Sequence, residues 1–95
     1  MDALRGLGAV AAERHVRLVI GIIPDGDQLG VDAPDLVPQE RLHAMCTELA
    51  LDCLDLYAAF AAAGGVLHAD TMHPNVAGQR VVARALADHL LVAPR

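Results

Sequence analysis

The apolar positions of the chain switch between the period of a helix and the continuous runs of a buried strand. Residues 2–14 predict a helix, because Leu4, Leu7 and Ala11 fall on one helical face. Residues 17–23 are a β-branched apolar run instead. Such a run is typical of a strand that is buried on both faces of a parallel sheet.

The same alternation continues to the end of the chain. Turn residues begin at Pro24 and predict a long loop over 24–37. Pro38 can open the second helix at its first position, with Leu42, Met45, Cys46 and Leu49 as its apolar stripe. The later elements are a strand over 51–56, a helix over 57–63 that Gly64 and Gly65 end, and a last helix from Asn75 to about Leu90.

Alternating helices and strands favour an α/β fold. They indicate βαβ units, in which helices cover a parallel sheet. Two strands are few for a stable sheet, so the pattern predicts a single, partial domain over residues 1–95 that forms the end of a larger sheet. A strand with an unpaired edge is also a template for self-association.

Composition and charge limit the classes of partner that the chain is expected to bind and the compartment in which it is expected to lie. The net charge is −5 and the seven basic residues are all Arg without a cluster, so a nucleic-acid partner is not expected. The longest strongly apolar run, 18–23, is too short to span a bilayer. No signal peptide is readable, which favours a cytoplasmic protein, or a secreted one if a preceding segment carries a signal. Cys46 and Cys53 are too few for a disulfide framework and are interpreted as small core residues.

The candidate catalytic residues lie in the segment before the last helix. Asp70 and His73 are three residues apart, so the carboxylate can accept a hydrogen bond from the imidazole and leave the other ring nitrogen free as a general base. Pro74 restricts His73 to an extended conformation, and Gly78 permits a close approach of the helix to the sheet. The chain contains no Ser, so it cannot complete a serine-nucleophile mechanism alone.

The string Asp70-x-x-His73-Pro74-Asn75-x-x-Gly78 resembles the last conserved block of the SGNH hydrolases, or GDSL esterases and lipases. The resemblance implies a three-layer αβα sandwich with a parallel sheet, related to flavodoxin, of which this chain is the C-terminal portion. It also implies an ester as the small-molecule substrate, cleaved by a Ser-His-Asp triad with His73 as general base and Asp70 as its orienting carboxylate. The nucleophile and the oxyanion donors of that family have no counterpart here, so we expect no activity from the chain alone.

Two other functions fit parts of the sequence. One is a non-catalytic α/β module that binds a partner through its exposed sheet edge. The other is a metal-dependent hydrolase, because His68, Asp70 and His73 form a His-x-Asp-x-x-His string with potential ligands. The spacing matches no common zinc motif, so no metal and no cofactor is expected.

Overall fold

The computed structural model describes residues 2–92. The elements are α1 (Asp2–Glu13), β1 (Val19–Ile22), a short 3₁₀ helix (Gly26–Gln28), α2 (Val37–Leu49), β2 (Asp52–Asp55), α3 (Tyr57–Ala63) and α4 (Val76–Leu91). Every helix and strand that the apolar pattern predicts is therefore present. The 3₁₀ helix adds local order to the loop over 24–37.

The predicted three-layer αβα sandwich is wrong for the part of the chain that is described. β1 and β2 form a parallel sheet of two strands, in which Val19 pairs with Asp52 and Ile22 with Asp55. Two strands are too narrow a surface to be covered by layers of helices on both faces. The helices instead contact one another, α1 against α2 and α3 against α4, and α2 packs on β2.

The same narrowness overturns the prediction that β1 is buried on both faces. Ile22 is buried, but Gly21 is exposed and Ile23, directly after the strand, is 43% exposed. A run of β-branched residues indicates a strand, yet its burial depends on neighbours that sequence spacing does not supply. In residues 2–92, β1 has a paired edge toward β2 and no strand on its other edge.

The face of α1 that turns inward differs by one residue from the predicted one. Leu4, Gly8 and Ala11 are partly buried, whereas Leu7 is 52% exposed. Gly8 lies against the side chain of Leu51, and a Cβ added at Gly8 would come within 2.8 Å of Leu51 Cδ2. Because Gly8 has no side chain, Leu51 can pack against it, and the face of α1 that carries Gly8 therefore turns inward.

Cys46 and Cys53, interpreted from the sequence only as small core residues, are joined in a disulfide. Cys46 lies in the predicted apolar stripe of α2 and is buried, as expected. Cys53 lies in β2, beside Ile20 of β1. Packing α2 on β2 brings the two Cα atoms to 6.2 Å, a normal separation for a disulfide.

The hydrophobic core lies between α3, α4 and the segment that joins them. Its buried members are Leu56, Phe60 and Leu67, with Val81, Val82 and Ala85 of α4 and Leu29 and Leu54 packed against them. Within residues 2–92, no helix combines the length and the apolar character that crossing a membrane requires.

Candidate functional site

The predicted site lies in a small hairpin, which spans residues 67–75 and stands at the carboxyl end of the sheet. His68 and Pro74 form an antiparallel bridge, and the Ala69 amide donates to the His73 carbonyl at 2.7 Å. The Asn75 amide donates to the Leu67 carbonyl at 2.9 Å and closes the hairpin. The loop after β1 contacts its tip, because the Gly26 amide donates to the Thr71 carbonyl at 2.8 Å.

The predicted hydrogen bond between Asp70 and His73 is present. Asp70 Oδ2 lies 2.8 Å and Oδ1 lies 3.0 Å from His73 Nδ1. A carboxylate only accepts, so Nδ1 carries the proton and donates. The other ring nitrogen, Nε2, is then the free basic site of a neutral imidazole, which is the tautomer that a general base needs.

Backbone amides hold the carboxylate in place. Asp70 Oδ1 accepts from the amides of Met72 and His73, each at 2.8 Å. These two backbone hydrogen bonds, followed by the side-chain bond from His73, lower the pKa of Asp70 from 3.8 to about 2. Asp70 is therefore ionised throughout the physiological range and orients the imidazole as a permanent acceptor.

The last helix fixes the far side of the hairpin. The Asn75 side chain accepts from the Gly78 amide at 2.9 Å, which caps α4 as predicted, and its Nδ2 donates to the Val66 carbonyl at 3.0 Å. Gly78 permits a close approach, but to the Leu67 carbonyl and Pro74 rather than to the sheet. A Cβ at Gly78 would collide with the Leu67 carbonyl oxygen. The start of α4 and the hairpin can therefore contact only through a glycine.

The geometry that the metal-dependent alternative requires is not formed. His68 Nε2 lies 2.8 Å from the Pro24 carbonyl oxygen, which can only accept, so this nitrogen carries a proton and is not a metal donor. Asp70 and His73 are engaged with each other. In the described part of the chain no group of three His, Cys, Asp or Glu side chains is placed to hold a metal ion. The residues thus do not fit the metal-dependent alternative.

Two further His–Asp pairs escaped the sequence patterns. His43 Nε2 lies 2.9 Å from Asp55 Oδ2, and His89 Nε2 lies 2.9 Å from Asp52 Oδ1. Arg17 Nη2 lies 3.5 Å from Asp52 Oδ2, at the amino end of the sheet. The members of each pair are 12 and 37 residues apart, so no local spacing could reveal them. They tie α2 and α4 to the two ends of β2.

A buried amide pair anchors the loop over 24–37. Gln39 Nε2 donates to Gln28 Oε1 at 2.8 Å, and Gln28 Nε2 donates to Gln39 Oε1 at 3.0 Å. Gln28 also accepts from the Asp25 amide and donates to the Asp35 carbonyl. Both side chains are buried, and each of their polar atoms has a hydrogen-bond partner inside the protein. The loop is consequently held to α2.

A cavity of about 330 Å³ adjoins the hairpin. Gly26 and His68 line it, and both belong to the segments that hold the site. The rest of its wall is mainly apolar and includes Leu29, Phe60, Val66 and Leu67. Its size is at the lower end of small-molecule sites.

Comparison with protein-family models, with curated proteins and with solved structures finds no match to this chain.

Proposed function

We propose that this chain supplies the general base and its orienting carboxylate to an ester hydrolase of the SGNH type. The observation that carries the proposal is the contact between Asp70 Oδ2 and His73 Nδ1 at 2.8 Å, in a loop at the carboxyl end of a parallel strand pair. Ligands of open α/β sheets bind at that edge. The Pro74-Asn75 continuation of the motif and the helix cap support the same family assignment.

In the proposed reaction a Ser from outside these 95 residues is the nucleophile. Its hydroxyl proton passes to Nε2 of His73 while its oxygen bonds to the acyl carbon of the ester. His73 then returns that proton to the departing alcohol, and an acyl-enzyme forms. A water molecule, deprotonated by His73, attacks the acyl carbon, and the Ser oxygen leaves with the proton as the acid is released.

The cavity beside the hairpin favours an ester with an apolar part. Its volume of about 330 Å³ and its lining by Leu29, Phe60, Val66 and Leu67 suit an aliphatic or aryl group of modest size.

The test is to supply the nucleophile. The DNA that precedes the codon of Met1 is read for an apolar strand followed by a Gly-Asp-Ser block, and the joined polypeptide is assayed with p-nitrophenyl acetate and butyrate. We expect hydrolysis that His73→Ala abolishes and Asp70→Asn lowers by several orders of magnitude, because the tautomer is then wrong. His43→Ala, which removes the imidazole of another His–Asp pair, serves as the control and keeps activity. The absence of such a block, or activity indifferent to His73→Ala, would contradict the proposal.

The partner-binding alternative has one observation in its favour. β1 has no partner on its outer edge within residues 2–92, and Ile23 at its end is exposed. An open edge of this kind can accept a strand from another chain. A joined polypeptide that binds a strand of another protein but hydrolyses neither p-nitrophenyl ester would favour this function.

The state of the two cysteines bears on the compartment. A cytoplasmic chain would hold Cys46 and Cys53 reduced, whereas the disulfide between them favours an oxidising compartment and hence the secreted alternative. Alkylation of cells under denaturing conditions distinguishes the two, since only free thiols are labelled.

A further inference from the structure

His68 joins the hairpin to the end of β1, a contact that neither the triad nor a metal site requires. Its Nε2 donates to the Pro24 carbonyl at 2.8 Å, and Pro24 is almost completely buried. The two residues are 44 positions apart in the chain. The bond therefore links the segment after β1 to the segment before α4.

The imidazole of His68 is also enclosed on its apolar surface. Its ring centroid is 5.5 Å from that of Phe60, at an interplanar angle of 44°. On another side lies Gly26, where an added Cβ would be only 3.3 Å from His68 Cγ. A planar ring with a donor at its far end meets both demands, because it packs between Phe60 and Gly26 and still reaches Pro24.

Because His68 belongs to the same hairpin as Asp70 and His73, its bond to Pro24 also anchors the candidate site. His68 forms the bridge with Pro74, the residue after His73, and Ala69 binds the His73 carbonyl. Asp70 and His73 themselves are exposed, at 60% and 74% of their side chains, so packing does little to hold them. Their location relative to the sheet depends on the hairpin, whose base packs on α4 and whose two links to the loop after β1 come from His68 and Gly26.

We propose that His68 is a positioning residue: through its bond to the Pro24 carbonyl it holds the Asp70–His73 hairpin on the carboxyl end of β1. The role of the site rests on the function proposed above, but the anchoring is a property of the chain itself. Because His68 Nε2 carries a proton and donates it to the Pro24 carbonyl, His68 is neither the general base nor a metal ligand. It sets where the base stands.

The experiment compares His68→Leu, which removes the donor but keeps an apolar side chain, with His68→Gln, whose amide nitrogen can occupy the place of Nε2. His43→Leu is the control, because it removes an imidazole hydrogen bond from α2 outside the hairpin. The ¹⁵N shifts of the His73 ring report its tautomer in mildly alkaline buffer. Hydrogen exchange of the Gly26 amide reports the contact with Thr71.

We expect His68→Leu to speed exchange at Gly26 about tenfold, the effect of losing one hydrogen bond. We expect this change to be reversed in His68→Gln and absent in His43→Leu, and all three variants to keep the Nδ1–H tautomer of His73, because its bond to Asp70 is local to the hairpin. If His68→Leu does not fold, His68→Asn replaces it, since its amide is too short to reach Pro24. Unchanged exchange of the Gly26 amide in a folded His68→Leu or His68→Asn variant would overturn the proposal.

The joined polypeptide separates this proposal from the proposed function. If both hold, His68→Leu lowers kcat with little change in KM, and His68→Gln restores kcat. Faster exchange of the Gly26 amide in the isolated His68→Leu chain, together with no hydrolysis by the joined polypeptide, would retain the anchoring and reject the enzyme. Full kcat in His68→Leu would reject the anchoring and retain the enzyme.

Discussion

At the scale of single residues, Asp70 is the most strongly perturbed group of the candidate site. Its carboxylate is largely exposed to solvent, so its low pKa results from specific donors and not from burial. Three N–H groups, from Met72, from the His73 backbone and from the His73 ring, converge on its two oxygens. Donors that favour the charged form lower the pKa of a carboxyl group.

The titration of Asp70 should appear in the acid stability of the chain. Its pKa is about 2 in the folded protein and 3.8 otherwise, so the unfolded state binds more protons between these values. The stabilisation from Asp70 is therefore complete above pH 3.8 and is lost as the pH falls through about 2. ¹³C NMR of the carboxyl group should give a midpoint near 2.

Two variants isolate this contribution in urea unfolding. At neutral pH, Asp70→Asn should lower the free energy of unfolding below that of the native protein. At the acid end of the range, the two proteins should have the same free energy of unfolding. Asp32→Asn, which removes an exposed carboxylate in the loop over 24–37, should leave the difference between neutral and acid pH unchanged. A midpoint at the ordinary 3.8 would show that the three donors are not formed.

At the scale of elements, two glycines in helices have opposite roles. Gly6 in α1 has no neighbouring atom within 4 Å of an added Cβ, so it contributes only flexibility. Gly78 in α4 lies where a Cβ would meet the backbone of Leu67 and the ring of Pro74. The sequence shows a glycine in a helix at both positions, and only the neighbours distinguish them.

Substitution by alanine should therefore have opposite signs at these sites. Gly6→Ala should stabilise the chain by up to about 1 kcal/mol, because alanine restricts the unfolded chain and favours the helix. Gly78→Ala should destabilise it by about 1–3 kcal/mol, since the backbone of the hairpin must move. Thermal and urea unfolding measure both. A stabilising Gly78→Ala would mean that α4 does not approach the hairpin so closely.

The disulfide joins α2 to β2 across a sequence separation of 7. By the chain-entropy argument, closing so short a loop stabilises the fold by roughly 2 kcal/mol. Reduction with a phosphine should lower the urea midpoint accordingly, while the double variant Cys46→Ser/Cys53→Ser should not respond to the reductant. Thiol titration verifies that reduction is complete. An unchanged midpoint in the fully reduced protein would show that the bond does not support the fold.

At the scale of the whole molecule, the chain is extended and exposes much apolar surface. Its radius of gyration is 14.2 Å, compared with about 12.5 Å for a compact domain of this length. Its accessible surface is 6567 Å², whereas a compact monomer of 10.0 kDa has roughly 5,200 Å². Val66 and Leu91 are among the large apolar side chains that are more than 80% exposed. Surface of this kind is typical of a protein that is covered by a further segment or partner.

We expect the 95-residue chain to self-associate through the open edge of β1. Light scattering after size exclusion should give a mass above the 10.0 kDa of a monomer. Ile23→Lys places a charge at the end of that edge and should reduce association. Val10→Lys, at an exposed position of α1 rather than on the sheet, should not. A monodisperse monomer with a cooperative melt would contradict this prediction, and equal effects of the two variants would locate association elsewhere.

The chain alone should also have no esterase activity above background. It contains no Ser, and loss of a triad nucleophile costs on the order of 10⁶ in turnover. Hydrolysis of p-nitrophenyl butyrate by the purified chain measures this. Saturable turnover that His73→Ala abolishes would show that another group acts as the nucleophile.

The sequence by itself determined the features that depend on near neighbours. The apolar periods predict the four α-helices and two strands of residues 2–92, and the Asn75 cap and the Asp70–His73 hydrogen bond follow from spacings of three residues. Local backbone geometry decides such contacts, so the printed order of residues suffices. The catalytic role of the pair remains a prediction.

The tertiary structure alone decided what depends on distant segments. Within residues 2–92 it restricts the sheet to two strands, joins Cys46 to Cys53 and brings His68 to Pro24. It also forms the Gln28–Gln39 pair and leaves Leu7 and Ile23 exposed. Burial and long-range pairing depend on which surfaces meet, and that depends on how many elements there are to cover a sheet. A periodic pattern records which face of an element is apolar, but not what that face contacts.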